Sequence, residues 1–112
     1  MTERYATHVQ ALRRAVLDGG AHTDPALRTA VEAHAAAVGG GAAPGQGPIP
    51  APLQRYVDTV ARHAWKVTDV DVDALRQAGY SEDAIFEVTV SAALGAATGR
   101  LQRACAALRG AG

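Results

Sequence analysis

Apolar residues recur three and four apart through most of this chain, which is the period of a helix with one buried side. From about Glu3 to Leu17, the residues Val9, Leu12, Val16 and Leu17 form an apolar edge, with Arg13 and Arg14 turned outward. Gly19-Gly20 ends that segment. Asp24-Pro25 restarts the chain, with aspartate placed to cap and proline at the first helical position. The second helix, about Pro25 to Val38, carries Leu27, Val31, Ala35 and Val38 as its buried line. A third, Pro52 to about Val67, aligns Leu53, Val57, Val60, Ala61 and Ala64, with Tyr56 beside them. Thr68 and Asp71 have the spacing of a capping box for a short fourth helix. Val70, Ala74 and Leu75 give it an apolar side, and Ala78-Gly79 ends it.

Ser81 caps the last helix, and Glu82 and Asp83 sit where the positive end of the helix dipole favours carboxylates. No proline interrupts from Ala84 to about Leu108. Ile85, Val88, Ala92 and Ala96 recur at helical spacing, and Phe86, Val90, Ala93, Leu94, Ala97 and Leu101 widen the stripe. A helix apolar over so much of its circumference is expected to be central and mostly buried. No run alternates with the period of a strand. The pattern predicts an all-α fold of five helices.

Length and composition refine this picture. The 112 residues suit one domain, 1–112, with one core. Gly39 to Pro50, GGGAAPGQGPIP, is the one low-complexity stretch and is read as a loop inside that domain. Much of the apolar content is alanine, so the core is thin and a partner surface is expected to help bury it. Eleven basic and eleven acidic residues balance. No global field therefore favours nucleic acid or an anionic membrane. No stretch approaches the ~18 consecutive apolar residues of a membrane span, and the charged N-terminus lacks a signal-peptide core. A single cysteine, Cys105, excludes a disulfide within the chain and fits a reducing cytoplasm.

Few residues carry a chemical signal of their own. Asp69, Asp71 and Asp73 form DVDVD, but a calcium loop needs glycine at its sixth position and glutamate at its twelfth. Those positions hold Ala74 and Tyr80, so the carboxylates are read as companions of a helix N-terminus. His8, His22, His34 and His63 are scattered, with no short metal-ligand spacing; neither a metal nor a cofactor is expected. His63, beside Arg62 near the end of the third helix, is the best candidate for a catalytic acid or base. Gly95 and Gly99, four apart, allow another backbone to come close.

From Leu53 to Leu108 the chain resembles the alkylhydroperoxidase D-like and carboxymuconolactone decarboxylase-like family. The resemblance rests on Tyr56-Val57-Asp58, Val60-Ala61-Arg62-His63-Ala64 and Lys66-Val67-Thr68-Asp69. It continues through the Ala78-Gly79 helix end into Tyr80-Ser81-Glu82-Asp83-Ala84-Ile85-Phe86-Glu87 and an alanine-rich helix. It implies a five-helix bundle that assembles as a dimer, trimer or hexamer. Redox members of the family carry a CxxC pair and a following histidine. Counting back from Gly79, those positions hold Ala64, Val67 and Asp71. Thiol peroxidase chemistry needs an attacking and a resolving thiol, and neither is present there.

The resemblance with its sulfur atoms missing implies a non-redox family member, an oligomeric binding or accessory protein with a small-molecule ligand. The alternative is a cofactor-independent decarboxylase-like enzyme, with His63 as acid or base and Arg62, Tyr56 and Tyr80 binding a small carboxylate substrate. A third reading makes the N-terminal helices a protein-binding face with Arg13, Arg14 and Arg28 as a basic patch.

Overall fold

A computed structural model describes residues 3–19, 22–40 and 49–111. They form five α-helices: α1 (Glu3–Gly19), α2 (Pro25–Gly39), α3 (Ala51–His63), α4 (Asp69–Gln77) and α5 (Glu82–Ala111). A single 3₁₀ turn, Ala64–Lys66, follows α3, and no strand occurs among the described residues. The fold is all-α, as the periodicity indicates. Most of the loop read at Gly39 to Pro50 lies outside the described residues.

The helix boundaries follow local chemistry. The Asp24 carboxylate accepts from the Ala26 N–H at 2.9 Å and starts α2. The Asp71 carboxylate accepts from the Thr68 N–H at 2.9 Å, the returning half of a capping box. Ser81 Oγ accepts from the Ala84 N–H at 3.1 Å and starts α5. At the end of α4, Tyr80 N–H donates to the Leu75 carbonyl and Gly79 N–H to that of Arg76. This is the Schellman pattern, and it requires the left-handed conformation that Gly79 adopts at φ 100°. Arg76 then bridges Asp73 at 2.6 Å and Glu82 at 2.8 Å, tying α4 to the start of α5. Its pKa is raised, first by the hydrogen bond it donates to Asp73.

Packing centres on α2 and α5. Arg28 lies beside Glu87 at their N-terminal ends, and Gly39 and Gly40 lie beside Ala96 and Gly99 further along, so the two helices run in the same direction. They approach backbone to backbone. A Cβ on Gly95 would overlap the Glu32 carbonyl, and one on Gly99 would overlap that of Ala36. α1 runs back along α2, with Leu17 against Arg28 and Arg13 against Glu32. Leu53, Tyr56, Val57, Val60 and Ala61 of α3 close the core over Val31, Ala35, Leu75, Ile85, Val88, Ala92 and Ala96.

Three expectations need correction. α3 stops at His63 rather than Val67. There the Arg100 guanidinium donates to the Ala61 carbonyl, supplying a partner to a C-terminal carbonyl that has no intrahelical one. More consequentially, α5 is not buried around its circumference. Its core face is covered by α2 and α3, but Phe86 is 67% exposed and Leu101 40%, with Ala93 and Ala97 also exposed. The chain has too few elements to cover a helix of 30 residues on every side. Val70, read as part of the apolar side of α4, is likewise exposed; Leu75 alone is buried on that helix.

The packing makes a sharp forecast for substitution by alanine. Gly95→Ala should destabilise by about 2 kcal/mol or more, because the new methyl meets backbone that cannot yield. Gly110→Ala, with nothing within 4 Å, should be neutral or stabilising by up to about 1 kcal/mol. Urea unfolding of the two variants measures the difference.

Candidate functional site

The outer side of α3 carries a dense set of polar side chains. Gln54, Arg55, Asp58, Thr59, Arg62 and His63 recur on the helix side opposite Leu53, Val57, Val60 and Ala61. Together with Ala51 and Lys66 they line an open groove of about 490 Å³. Arg55 and Arg62 are seven residues apart, so they stand on the same side about 10 Å apart along the axis.

Asp58 lies between them in sequence, at spacings where it could neutralise either arginine. It does not. Its Oδ1 lies 2.6 Å from Nε2 of His34, a buried residue of α2. The carboxylate is drawn toward the core, and among the described residues no ion pair engages Arg55, Arg62 or Lys66. Thr59 returns its hydroxyl proton to the Arg55 carbonyl at 3.0 Å. His63 is exposed, with its ring edge-on to Trp65 at 5.1 Å and 67°, and Trp65 is itself 78% exposed.

The four residues singled out from the sequence therefore divide. Arg62 and His63 line the same groove. Tyr56 faces the core; its hydroxyl lies 2.7 Å from Thr89 Oγ1. Because Thr89 gives its proton to the Ile85 carbonyl, Tyr56 is the donor in that bond. Tyr56 also borders a separate groove between α3 and α4, of about 370 Å³, with Arg55, Thr59, Val70 and Leu75. Tyr80 is half-buried in the Schellman turn and packs on the core. Neither tyrosine lines the α3 groove.

The three positions counted back from Gly79 fall in different settings. Ala64 is exposed in the 3₁₀ turn, Val67 packs partly on the core, and Asp71 caps α4. Cys105 is half-buried near the far end of α5. Among the described residues no cluster of three His, Cys, Asp or Glu side chains could hold a metal ion. No helix there is long and apolar enough to cross a membrane.

The basic patch expected of the N-terminal helices does not form, because Arg28 is fully buried. Its Nε and Nη2 donate to the Leu17 carbonyl at 3.0 and 2.7 Å, and its Nη1 donates to the Thr23 carbonyl at 2.5 Å and Oγ1 at 2.9 Å. Nη1 also lies 3.4 Å from Glu87. The Glu87 carboxylate further accepts from the Thr23 hydroxyl at 2.6 Å and the His22 N–H at 3.0 Å. Arg13 pairs with Glu32 at 2.5 Å. Arg28, Val31, Glu32 and Ala35 share the i, i+3, i+4, i+7 face of α2, a spacing that puts Arg28 beside the buried line without by itself saying that it is buried.

No family model, no curated protein and no solved structure matches this chain. Removing the Arg28 guanidinium takes the buried donors from the Leu17 and Thr23 carbonyls and a positive charge from beside Glu87, so Arg28→Met should cost about 3–5 kcal/mol. Chemical denaturation checks this, and loss of helicity in α1 is expected alongside it.

Proposed function

We propose that this chain is a non-redox helical binding protein, built from more than one copy, whose α3 groove holds a small anionic ligand such as a carboxylate. One observation carries the reading. Arg55, Arg62 and Lys66 line a single groove without ion-pair partners among the described residues, while the carboxylate between the arginines is held by His34. Arginine offers a carboxylate two parallel hydrogen bonds, and two such groups on one helix side suit a ligand with more than one acidic group. The occupants of the former sulfur positions support the non-redox part, since Ala64 and Val67 can neither attack a peroxide nor resolve a sulfenic acid. The exposed Phe86, Leu101 and Leu108 support assembly from several copies. A lone cysteine with no partner in the chain agrees with a cytoplasmic setting.

A second reading keeps the same groove and adds chemistry. His63 lines it with Arg62, so an acid or base stands beside a cationic anchor, as a decarboxylase-like step on a small carboxylate requires. The two readings separate on turnover. His63→Gln should leave ligand affinity within about twofold if the protein only binds, and should abolish product formation if it catalyses.

Titration of the protein with di- and tricarboxylates, followed by NMR of the α3 amides, tests the groove itself. Wild type should shift Arg55, Arg62 and Lys66 resonances, and Arg62→Ala should weaken binding about tenfold, the loss of one charged hydrogen-bonding partner. Asp58→Asn should tighten it, by removing the one carboxylate in the groove. Absence of any shift at millimolar ligand sinks the groove assignment, and efficient peroxide reduction with a thiol reductant sinks the non-redox one.

A further inference from the structure

α5 has two apolar faces, and among the described residues the second is left largely uncovered. The second consists of Phe86, Val90, Ala93, Ala97, Leu101, Ala104 and Leu108. All are exposed except Val90, which is half-buried, and the largest reach 67% exposure at Phe86 and 75% at Leu108. At 100° per residue these seven fall within an arc of about 80°, on the side away from Ile85, Val88, Ala92 and Ala96. No charged residue between Phe86 and Leu108 falls inside that arc. The average spacing is close to the ~3.67 residues of an eleven-residue repeat, so the stripe stays nearly straight along the helix. It runs for about 33 Å.

The stripe is palindromic. Its spacings read four, three, four on either side of Ala97, so Ala93 mirrors Leu101, Val90 mirrors Ala104, and Phe86 mirrors Leu108. A two-fold axis through Ala97 would place each large side chain against its mirror-related partner and bring small ones together at the centre. Charge follows the same symmetry. Glu82, Asp83 and Glu87 stand at the start of α5, whereas no carboxylate side chain follows Glu87 and the far end carries Arg100, Arg103 and Arg109. Side by side in the same direction, like charges would meet; in opposite directions, acidic ends meet basic ones.

A receiving groove already exists at the acidic end. Ala15 and Val16 of α1, with His22, Asp83, Phe86, Glu87 and Val90, line a cleft of about 300 Å³. Its lining joins the apolar Ala15, Val16, Phe86 and Val90 to the exposed carboxylate of Asp83. Asp83 is largely exposed, with His22 Nε2 3.8 Å away.

We infer that two copies of this chain pair through antiparallel α5 helices about a two-fold axis at Ala97, with Leu108 and Arg109 of each entering the α1–α5 cleft of the other. The pairing deepens the multi-copy part of the function proposed above and is independent of the α3 groove, with which it shares no lining residue. Ala93 and Ala97 let the axes come within the ~8 Å of a close helix pair. The interface is isologous, so it closes at two copies and leaves no sticky end. It also covers the segment from Leu101 onward, which in a single copy extends past the other helices.

Light scattering should give a mass twice the 11.5 kDa of one chain. Ala97→Glu places two carboxylates at the axis and should yield a monomer with unchanged helicity. Arg109→Asp should weaken association at least tenfold at low salt, and Asp83→Arg added to it should restore most of the loss. Ala97→Cys in a Cys105→Ala background should cross-link rapidly on mild oxidation. Wild-type Cys105 should not, since the antiparallel register separates the two copies' cysteines by about 24 Å along the axis. A wild-type Cys105 disulfide dimer would mean parallel pairing and overturn the inference. An oligomer that survives Ala97→Glu would overturn this interface while leaving the multi-copy reading intact. A monomer at every concentration would overturn both, without touching the ligand titration of the α3 groove.

Discussion

The backbone contact between α2 and α5 is the constraint from which the other features follow. Two helices can approach this closely only where side chains are absent or minimal. Gly95 and Gly99 on one side, with Ala35, Ala36 and Gly39 on the other, provide that. Glycine inside a helix gives up about 1 kcal/mol of intrinsic stability relative to alanine. The compensation is a long run of tightly packed atoms, each contact small and the sum large. Because the axes are so close, little room remains between them for large side chains. The larger core residues come instead from α3, which lies over the seam with Leu53, Val57 and Val60.

Close packing also dictates where polar groups go. Arg28, Glu32, His34 and Ser91 are buried along or beside this seam. Burying a charge without partners is expensive, so each needs its hydrogen bonds nearby. Ser91 returns its hydroxyl to the Glu87 carbonyl at 2.8 Å, and no buried side-chain nitrogen or oxygen among the described residues lacks a partner. Arg28 serves as a fastener. It joins the last carbonyls of α1, the turn at Thr23 and the first turns of α5, which fixes α1 against the bundle although α1 contributes little to the core. His34 acts at longer range: by holding Asp58 it leaves Arg55 and Arg62 of the α3 surface without that ion-pair partner, without itself reaching solvent.

The result is a molecule with distinct outer sides. One, on α3, is cationic and grooved. Another, on α5, is apolar and straight, with opposite charges at its ends. These belong to separate helices and share no residue, so a ligand on the first and a protein surface on the second would not compete for the same side chains. A thin, alanine-rich core makes the division understandable. Five helices with small side chains cannot wrap a helix of 30 residues, and the face left uncovered must be stable in water or be covered by something else.

Much of this was legible before any coordinates. Periodicity placed all five helices, and Asp24-Pro25, Thr68 with Asp71, Ser81 and Gly79 set their ends, because capping depends on neighbours in sequence. The Gly95–Gly99 spacing pointed to a close backbone neighbour but could not say that α2 supplies it. The side of α5 that faces the core, the burial of Arg28 and the capture of Asp58 by His34 were beyond reach. An apolar stripe looks the same in sequence whether covered or bare, and an arginine looks the same in water or in a ring of carbonyls. Local chemistry determined which residues form helices and where those helices end. Only the packed structure decided which faces meet, because that choice depends on the shapes of surfaces contributed by residues 11 to 65 positions apart.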